Sequence, residues 1–197
     1  MSAKIDLSKL GDYAAPKKPV LLDIKPAQYF TITGQGEPGK ERFTAAIGAL
    51  YAMAFTVKMT WKFAGKEDYA VCKLECQWPD DLANTPRAKW RWKMMIRTPE
   101  FITDSERATA VEKLIGKGKP PEVKEVKLET LSEGQCVQML HVGPYDKEGE
   151  TTDIMRRFAE GKGQALAGPH HEIYLSDPRR VAPEKLKTIL RRPVVRS

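Results

Sequence analysis

The stretch HHEIYL, residues 170–175, has the β-preferring Ile173, Tyr174 and Leu175 of a strand and an ionisable carboxylate, Glu172, in its middle. An acid placed where the pattern expects burial pays for desolvation, so its charge is available to a donor or a cation. Period-two spacing puts His170 and Tyr174 on the face of Glu172, where the Tyr174 hydroxyl can hold the carboxylate. A second acid, Glu75, stands in KLECQW, residues 73–78, with Lys73 and Gln77 on its face suggesting solvent. Two acids facing one cleft would repel and push one pKa up, leaving one acid and one base for proton transfer. His170 and His171 are adjacent and point to opposite faces, so they cannot chelate one metal as strand neighbours, and no metal is expected. His141 reads as a satisfied strand histidine. No GxSxG elbow, phosphate loop or dinucleotide fingerprint occurs, and no cofactor is expected.

The elements that must carry these residues follow from the hydrophobic pattern. Residues 27–36, AQYFTITGQG, alternate as a strand ended by glycines, and Glu37 and Pro38 are expected to open a helix. Phe43, Ile47, Leu50, Tyr51, Ala54 and Phe55 give that helix one apolar face, exhausted by Gly65. Residues 68–78 and 87–97 follow as strands. The second has the clearest alternation, with Trp90, Trp92, Met94 and Ile96 on one face and Lys89, Arg91 and Lys93 on the other. Thr103 and Glu106 form a capping box for a connecting helix that closes at Gly116 and Gly118. The order then repeats: a strand over 134–143, a helix from Pro144 with Tyr145, Glu148, Ile154, Met155 and Phe158 inward, and strands over 170–175 and 187–195. Each half therefore reads strand, helix, strand, strand. The expectation is an α+β domain of two such modules joined about a pseudo-twofold axis, with helices on one face of an antiparallel sheet and a groove on the other. Residues 1–26 are expected to be an arm, and 27–197 one domain: a first module over 27–101, a connecting helix and linker over 102–124, and a second module over 125–197.

Composition removes several classes of function. A chain of 197 residues with 41% hydrophobic and 30% charged residues is an ordinary globular protein. Cys72, Cys76 and Cys136 form no CxxC pair, which indicates neither a disulfide framework nor a zinc site. The first residues lack the apolar core of a secretory signal, and no continuous apolar run reaches membrane-span length, so no membrane and a cytoplasmic address are expected. The net charge of +7 is scattered and comes with no helix-turn-helix pattern, so direct nucleic-acid binding is not expected.

The residues HHEIYLSDPRRVAPEKLKTILRRPV, with MLHVGPYD before them and YAVCKLECQW in the first half, resemble the GyrI-like small-molecule-binding domains, which are also the effector-binding halves of multidrug-responsive transcription activators. The resemblance covers nearly the whole chain after about Lys25. It implies the duplicated fold and a cleft at the module junction, lined by aromatic side chains, with an acid that maps to Glu172. It implies a ligand that is aromatic and cationic, with Trp78, Tyr145, Tyr174, His170 and Glu75 as further ligand-binding residues. Stand-alone members that also have an acid in the first half, here Glu75, are similar to this chain, and for them the resemblance implies hydrolysis of cyclopropane-bearing DNA-alkylating natural products, with Glu172 and Glu75 catalytic. Where the family motif has a glycine this chain has Cys76, which narrows the cleft. Three readings follow: a small-molecule-binding protein, a hydrolase using the same cleft, and a protein-interaction module such as a gyrase-modulating protein. Either a monomer or a homodimer fits.

Overall fold

The computed structural model describes residues 4–196, so the first three residues of the expected arm and Ser197 of the expected domain lie outside it. In chain order it contains β1 (Val20–Ile24), β2 (Ala27–Gln35), α1 (Glu41–Phe63), β3 (Leu74–Trp78), β4 (Arg91–Arg97), α2 (Asp104–Gly116), β5 (Lys127–Leu131), β6 (Gly134–Val142), α3 (Glu148–Glu160), β7 (Gln164–Leu166), β8 (His170–Tyr174) and β9 (Lys187–Arg196). The architecture is α+β with an antiparallel sheet. Eight strands follow the order β1-β6-β9-β8-β3-β4-β2-β5, and β7 pairs with the end of β9.

The duplication is visible in that order. β6-β9-β8 from one module meets β3-β4-β2 from the other, and the seam is the β3–β8 pair, from Glu75↔Ile173 to Trp78↔His170. The flanking strands are exchanged: β1 pairs with β6, and β5 pairs with β2. Only Lys25 and Pro26 separate β1 from β2, although the two stand near opposite ends of the strand order; Ser132 and Glu133 separate β5 from β6 in the same way. The sheet must therefore curl until its ends approach each other.

Cross-strand partners share a face, so the register sorts the side chains. Phe30, Ile32, Met94, Ile96 and Cys76 look toward α1, where they pack against Leu50, Met53 and Val57. Each such side chain contributes about 1.5–3 kcal/mol on leaving water. Val137, Leu190 and Val194 look the same way and pack against Met155 and Ala159 of α3. Both helices thus cover the convex face. The groove expected on the other face exists as a concavity but is occupied: two single 3-10 turns, Leu7–Lys9 and Gly11–Tyr13, lead Tyr13 into it against Ile173 and Ile189.

The alternation in β4 and the Thr103–Glu106 capping box are as the pattern requires. α1 begins at Glu41 instead of Glu37, because Gly39 takes a left-handed φ of 83° that no helix contains. It is long and apolar enough to cross a bilayer, yet its buried residues face the sheet and its Lys58 pairs with Asp68, which makes it a core helix here. Of the strand expected over 68–78 only Leu74–Trp78 joins the sheet; Asp68 and Ala70 bond instead to Ile5 of the N-terminal segment.

Candidate functional site

On the convex face, at the seam between α1 and α3, β8 presents His170, Glu172 and Tyr174 while the start of α3 and the turn before it present Glu148 and Tyr145. Glu148, His170 and Glu172 are 6%, 8% and 6% exposed, so their charges meet little water. His170 Nε2 lies 3.3 Å from Glu148 Oε2 and 3.3 Å from Glu172 Oε1. Tyr174 donates its hydroxyl to Glu172 Oε2 at 2.6 Å, and its ring meets that of Tyr145 edge-on at 5.8 Å. Glu148 Oε1 is buried with no hydrogen-bond partner among the described residues.

The electrostatics separate the two carboxylates. Burial, and then the charge of Glu172, push Glu148 up to about 8. Burial works against the charge of Glu172 too, but the hydrogen bond and charge of His170 and the bond from Tyr174 outweigh it and hold Glu172 below the usual carboxylate range. Burial likewise opposes a charged His170, and the bonds to both carboxylates overcome it, raising the imidazole to about 9. At neutral pH the two carboxylates therefore share one proton, favoured on Glu148, beside an imidazolium, and the group is neutral overall. Donor atoms of the three lie within 4.8 Å of one another, close enough to hold a small cation; protonated His170 supplies that positive charge itself.

Of the residues singled out in the sequence, Glu172, His170, Tyr174 and Tyr145 are brought together. Trp78 lies on the same face, opposite His170 in the register, but is 4% exposed, stacked on Phe43 at 6.0 Å and edge-on to Trp90. Cys76 pairs in register with Glu172, and burial drives its thiol well above the usual range, which keeps it protonated and unreactive. Glu75 is a correction. It pairs with Ile173, so it projects from the opposite face to Glu172 and does not face the same cleft. The twin acid of the convex site is Glu148, noted in the sequence as an inward position of its helix but not as a partner of Glu172. Its signal was its place one turn after Tyr145, with an acid buried on the apolar side of an amphipathic helix.

Glu75 instead belongs to a second polar cluster on the concave face. It is fully buried, accepts from the Tyr13 hydroxyl at 2.5 Å and lies 2.9 Å from His171 Nε2. His171 Nδ1 lies 2.9 Å from Glu133, which also accepts from Arg191 at 3.0 Å. Arg191 continues to Gln138 and to the Asp12 carbonyl.

A family model, the GyrI-like small molecule binding domain, matches residues 17–195. A crystal structure described as a hydrolase from Listeria innocua is 37% identical, with a TM-score of 0.89, and the match covers 98% of this chain and 100% of that one. A second hydrolase of the same organism is 36% identical, with a TM-score of 0.91 and the same coverage. The EcmrR C-terminal domain is 11% identical with a TM-score of 0.59 over 91% of this chain and 98% of its own, a likeness of fold alone. No curated protein matches the chain.

Proposed function

Because the chain belongs to the GyrI-like small-molecule-binding domain family, we propose that the Glu148–His170–Glu172 group is the acid–base site of a hydrolase acting on an apolar, aromatic small molecule. The observation that carries this reading is a single imidazole nitrogen, His170 Nε2, 3.3 Å from each of two buried carboxylates, Glu148 and Glu172. The hydrolase description of relatives that match the chain end to end supports it. The substrate class is the one the sequence resemblance implies, a cyclopropane ring conjugated to a carbonyl. Glu172 takes a proton from water as the water oxygen bonds to the ring methylene. The broken carbon–carbon pair flows to the carbonyl oxygen, which receives the proton of Glu148. The product is the substrate plus one water. Proton return from Glu172 to Glu148 runs through His170, which touches both.

Trp78 and Tyr145 wall the site, and Tyr145, 39% exposed, is the member of the group that meets solvent. Hollows of about 190 and 210 Å³ lie elsewhere, beside α1. The test is incubation with a cyclopropane-bearing alkylator and detection of its ring-opened hydrate. Activity that survives Glu148→Gln and Glu172→Gln unchanged removes the assignment. A second reading, capture without turnover, draws on the ionised Glu172 under aromatic rings, a setting that suits a planar cation; it predicts binding that Glu172→Gln abolishes with no hydrate formed.

A further inference from the structure

The concave cluster has a place in the fold that neither the acid–base site nor the family match uses. β3 and β8 join the two modules at the middle of the sheet path, and the candidate site lies on the convex side of that seam. On its concave side two links of the cluster, Glu75–His171 and Gln77–Glu133, cross the same seam. Glu75 on β3 meets His171 on β8; Gln77 on β3 and Arg191 on β9 both donate to Glu133. The N-terminal segment adds a third link: Asp12 takes an ion pair from Arg97 on β4, while its carbonyl accepts from Arg191 on β9 and Gln138 on β6. Tyr13 closes the set, its hydroxyl on Glu75 and its ring under the Arg97 guanidinium at 5.6 Å. The first sixteen residues lie outside the span matched by the family model, yet Tyr13 is 8% exposed and seated at the centre of the sheet.

We propose that Asp12 and Tyr13, acting through Glu75 and His171, are positioning residues that staple the module seam from behind and so set the spacing in front between Trp78 and Cys76 on one side and the Glu148–His170–Glu172 group on the other. The charges suit a staple. His171 has a carboxylate 2.9 Å from each ring nitrogen, and an imidazole donates to both only when doubly protonated. Three acids, Asp12, Glu75 and Glu133, then face three cations, Arg97, Arg191 and His171, with Glu75, His171 and Arg191 almost fully buried and the Asp12–Arg97 pair at the edge. Buried networks of this kind hold one geometry because removing any member strands the rest.

The staple acts on one dimension only. Glu148, His170 and Glu172 all belong to the second module, so loosening the seam leaves their mutual distances intact. What moves is the first module's wall, Trp78 and Cys76, relative to that group. Ligand affinity is therefore the sensitive quantity and turnover is not. This part rests on the cleft reading above.

Tyr13→Phe deletes one hydroxyl and keeps the ring, so the chain still folds. In this variant amide exchange in Leu74–Trp78 and His170–Tyr174 is expected to quicken by about tenfold, the loss of one buried hydrogen bond, with the β6–β9 ladder unchanged. The KM for the cyclopropane substrate, and the Kd for ethidium as a planar cationic probe, are expected to rise by about the same factor, with kcat within about twofold. Asp12→Asn is expected to repeat the pattern. Exchange that is unaltered at the seam, or quickened equally throughout the sheet, overturns the staple; so does a fall in kcat at constant KM. If the wild-type chain neither binds ethidium nor opens the ring, the cleft reading fails by itself, and the exchange measurement still decides the staple.

Discussion

β8 puts an imidazole between two carboxylates twice, once on each face, and the two arrangements differ in how many donors they offer. On the concave side Glu75 and Glu133 each have their own nitrogen of His171, and each has further donors in Tyr13, Gln77 or Arg191. On the convex side Glu148 and Glu172 reach the same nitrogen of His170, both at 3.3 Å, and one oxygen of Glu148 has no partner among the described residues. Where donors match acceptors the charge is held: burial opposes that of Glu133, but His171 and Arg191 keep its pKa at about 2. Where two carboxylates compete for one donor, a proton must make up the deficit, and Glu148 rises to about 8. The same residue types thus build a scaffold on one face and a proton-transfer group on the other.

The sharpest way to break this contrast is to remove a cation from the closed side. Arg191→Met strands Glu133 and the Asp12 carbonyl in a buried setting, and is expected to lower unfolding free energy by about 3–5 kcal/mol in urea titration. A loss below about 1 kcal/mol would mean that water reaches the cluster. Glu148→Gln is the counterpart on the open side. It removes a group that already lacks its full set of partners, so stability is expected to stay within about 1 kcal/mol of wild type. Hydrolysis of the cyclopropane substrate is expected to fall about 100-fold or more, since the acid is gone. A variant that loses stability and activity together would place Glu148 with the scaffold.

Some of this contrast was legible in the sequence. The alternation of β4, the Thr103–Glu106 cap, the repeated element order and the acid in HHEIYL all lie in local patterns that the structure keeps. The face of Glu75 was not legible. Lys73 and Gln77 made its side of β3 look solvated, but that side is the inside of a curled sheet, where Gln77 bonds to Glu133 and polar groups satisfy one another. Curling depends on β1 and β5 exchanging modules, and short strands such as VLLDI and KLETL give little alternation to announce it. The helix period placed Glu148 inward, but a glutamate in the first turn of a helix is favoured by the dipole wherever it points, so its type did not mark it as the partner of Glu172.

Stability against pH sharpens the comparison further, because Glu133 on one face and His170 on the other titrate at opposite ends. Glu133 sits below its ordinary value, so its contribution is full above pH 4.5 and is lost as pH falls toward 2. His170 sits above its ordinary value, so its contribution is full below pH 6.5 and is lost as pH rises through 9; Glu148, raised from 4.5 to about 8, adds a loss of the same sign below that. The convex group should therefore lower stability progressively as pH rises from about 4.5 toward 9, most steeply once His170 joins above about 6.5. His170→Asn should flatten most of that alkaline slope and spare the acid one; His171, also raised, keeps the remainder. Glu133→Gln should do the reverse. Thermal melts across pH 3–9 for the two variants decide it, and a common slope in both would dissolve the distinction between the faces.

The smallest effect comes from two tyrosines that make the same bond on opposite sides. Tyr174 donates to Glu172 and Tyr13 to Glu75, at nearly equal lengths. Each phenylalanine replacement is expected to cost about 1–2 kcal/mol, the worth of a hydrogen bond to a buried charged group. Their pH signatures should nonetheless differ. Without Tyr174, Glu172 loses one of the bonds that hold it low and moves toward Glu148, so the proton is shared more evenly and the plateau of the hydrolysis rate against pH narrows. Without Tyr13, Glu75 still has His171, and no proton in the reacting group changes hands, so the profile keeps its midpoints while KM rises. If Tyr13→Phe shifts those midpoints as far as Tyr174→Phe does, the two faces of β8 are electrically one site.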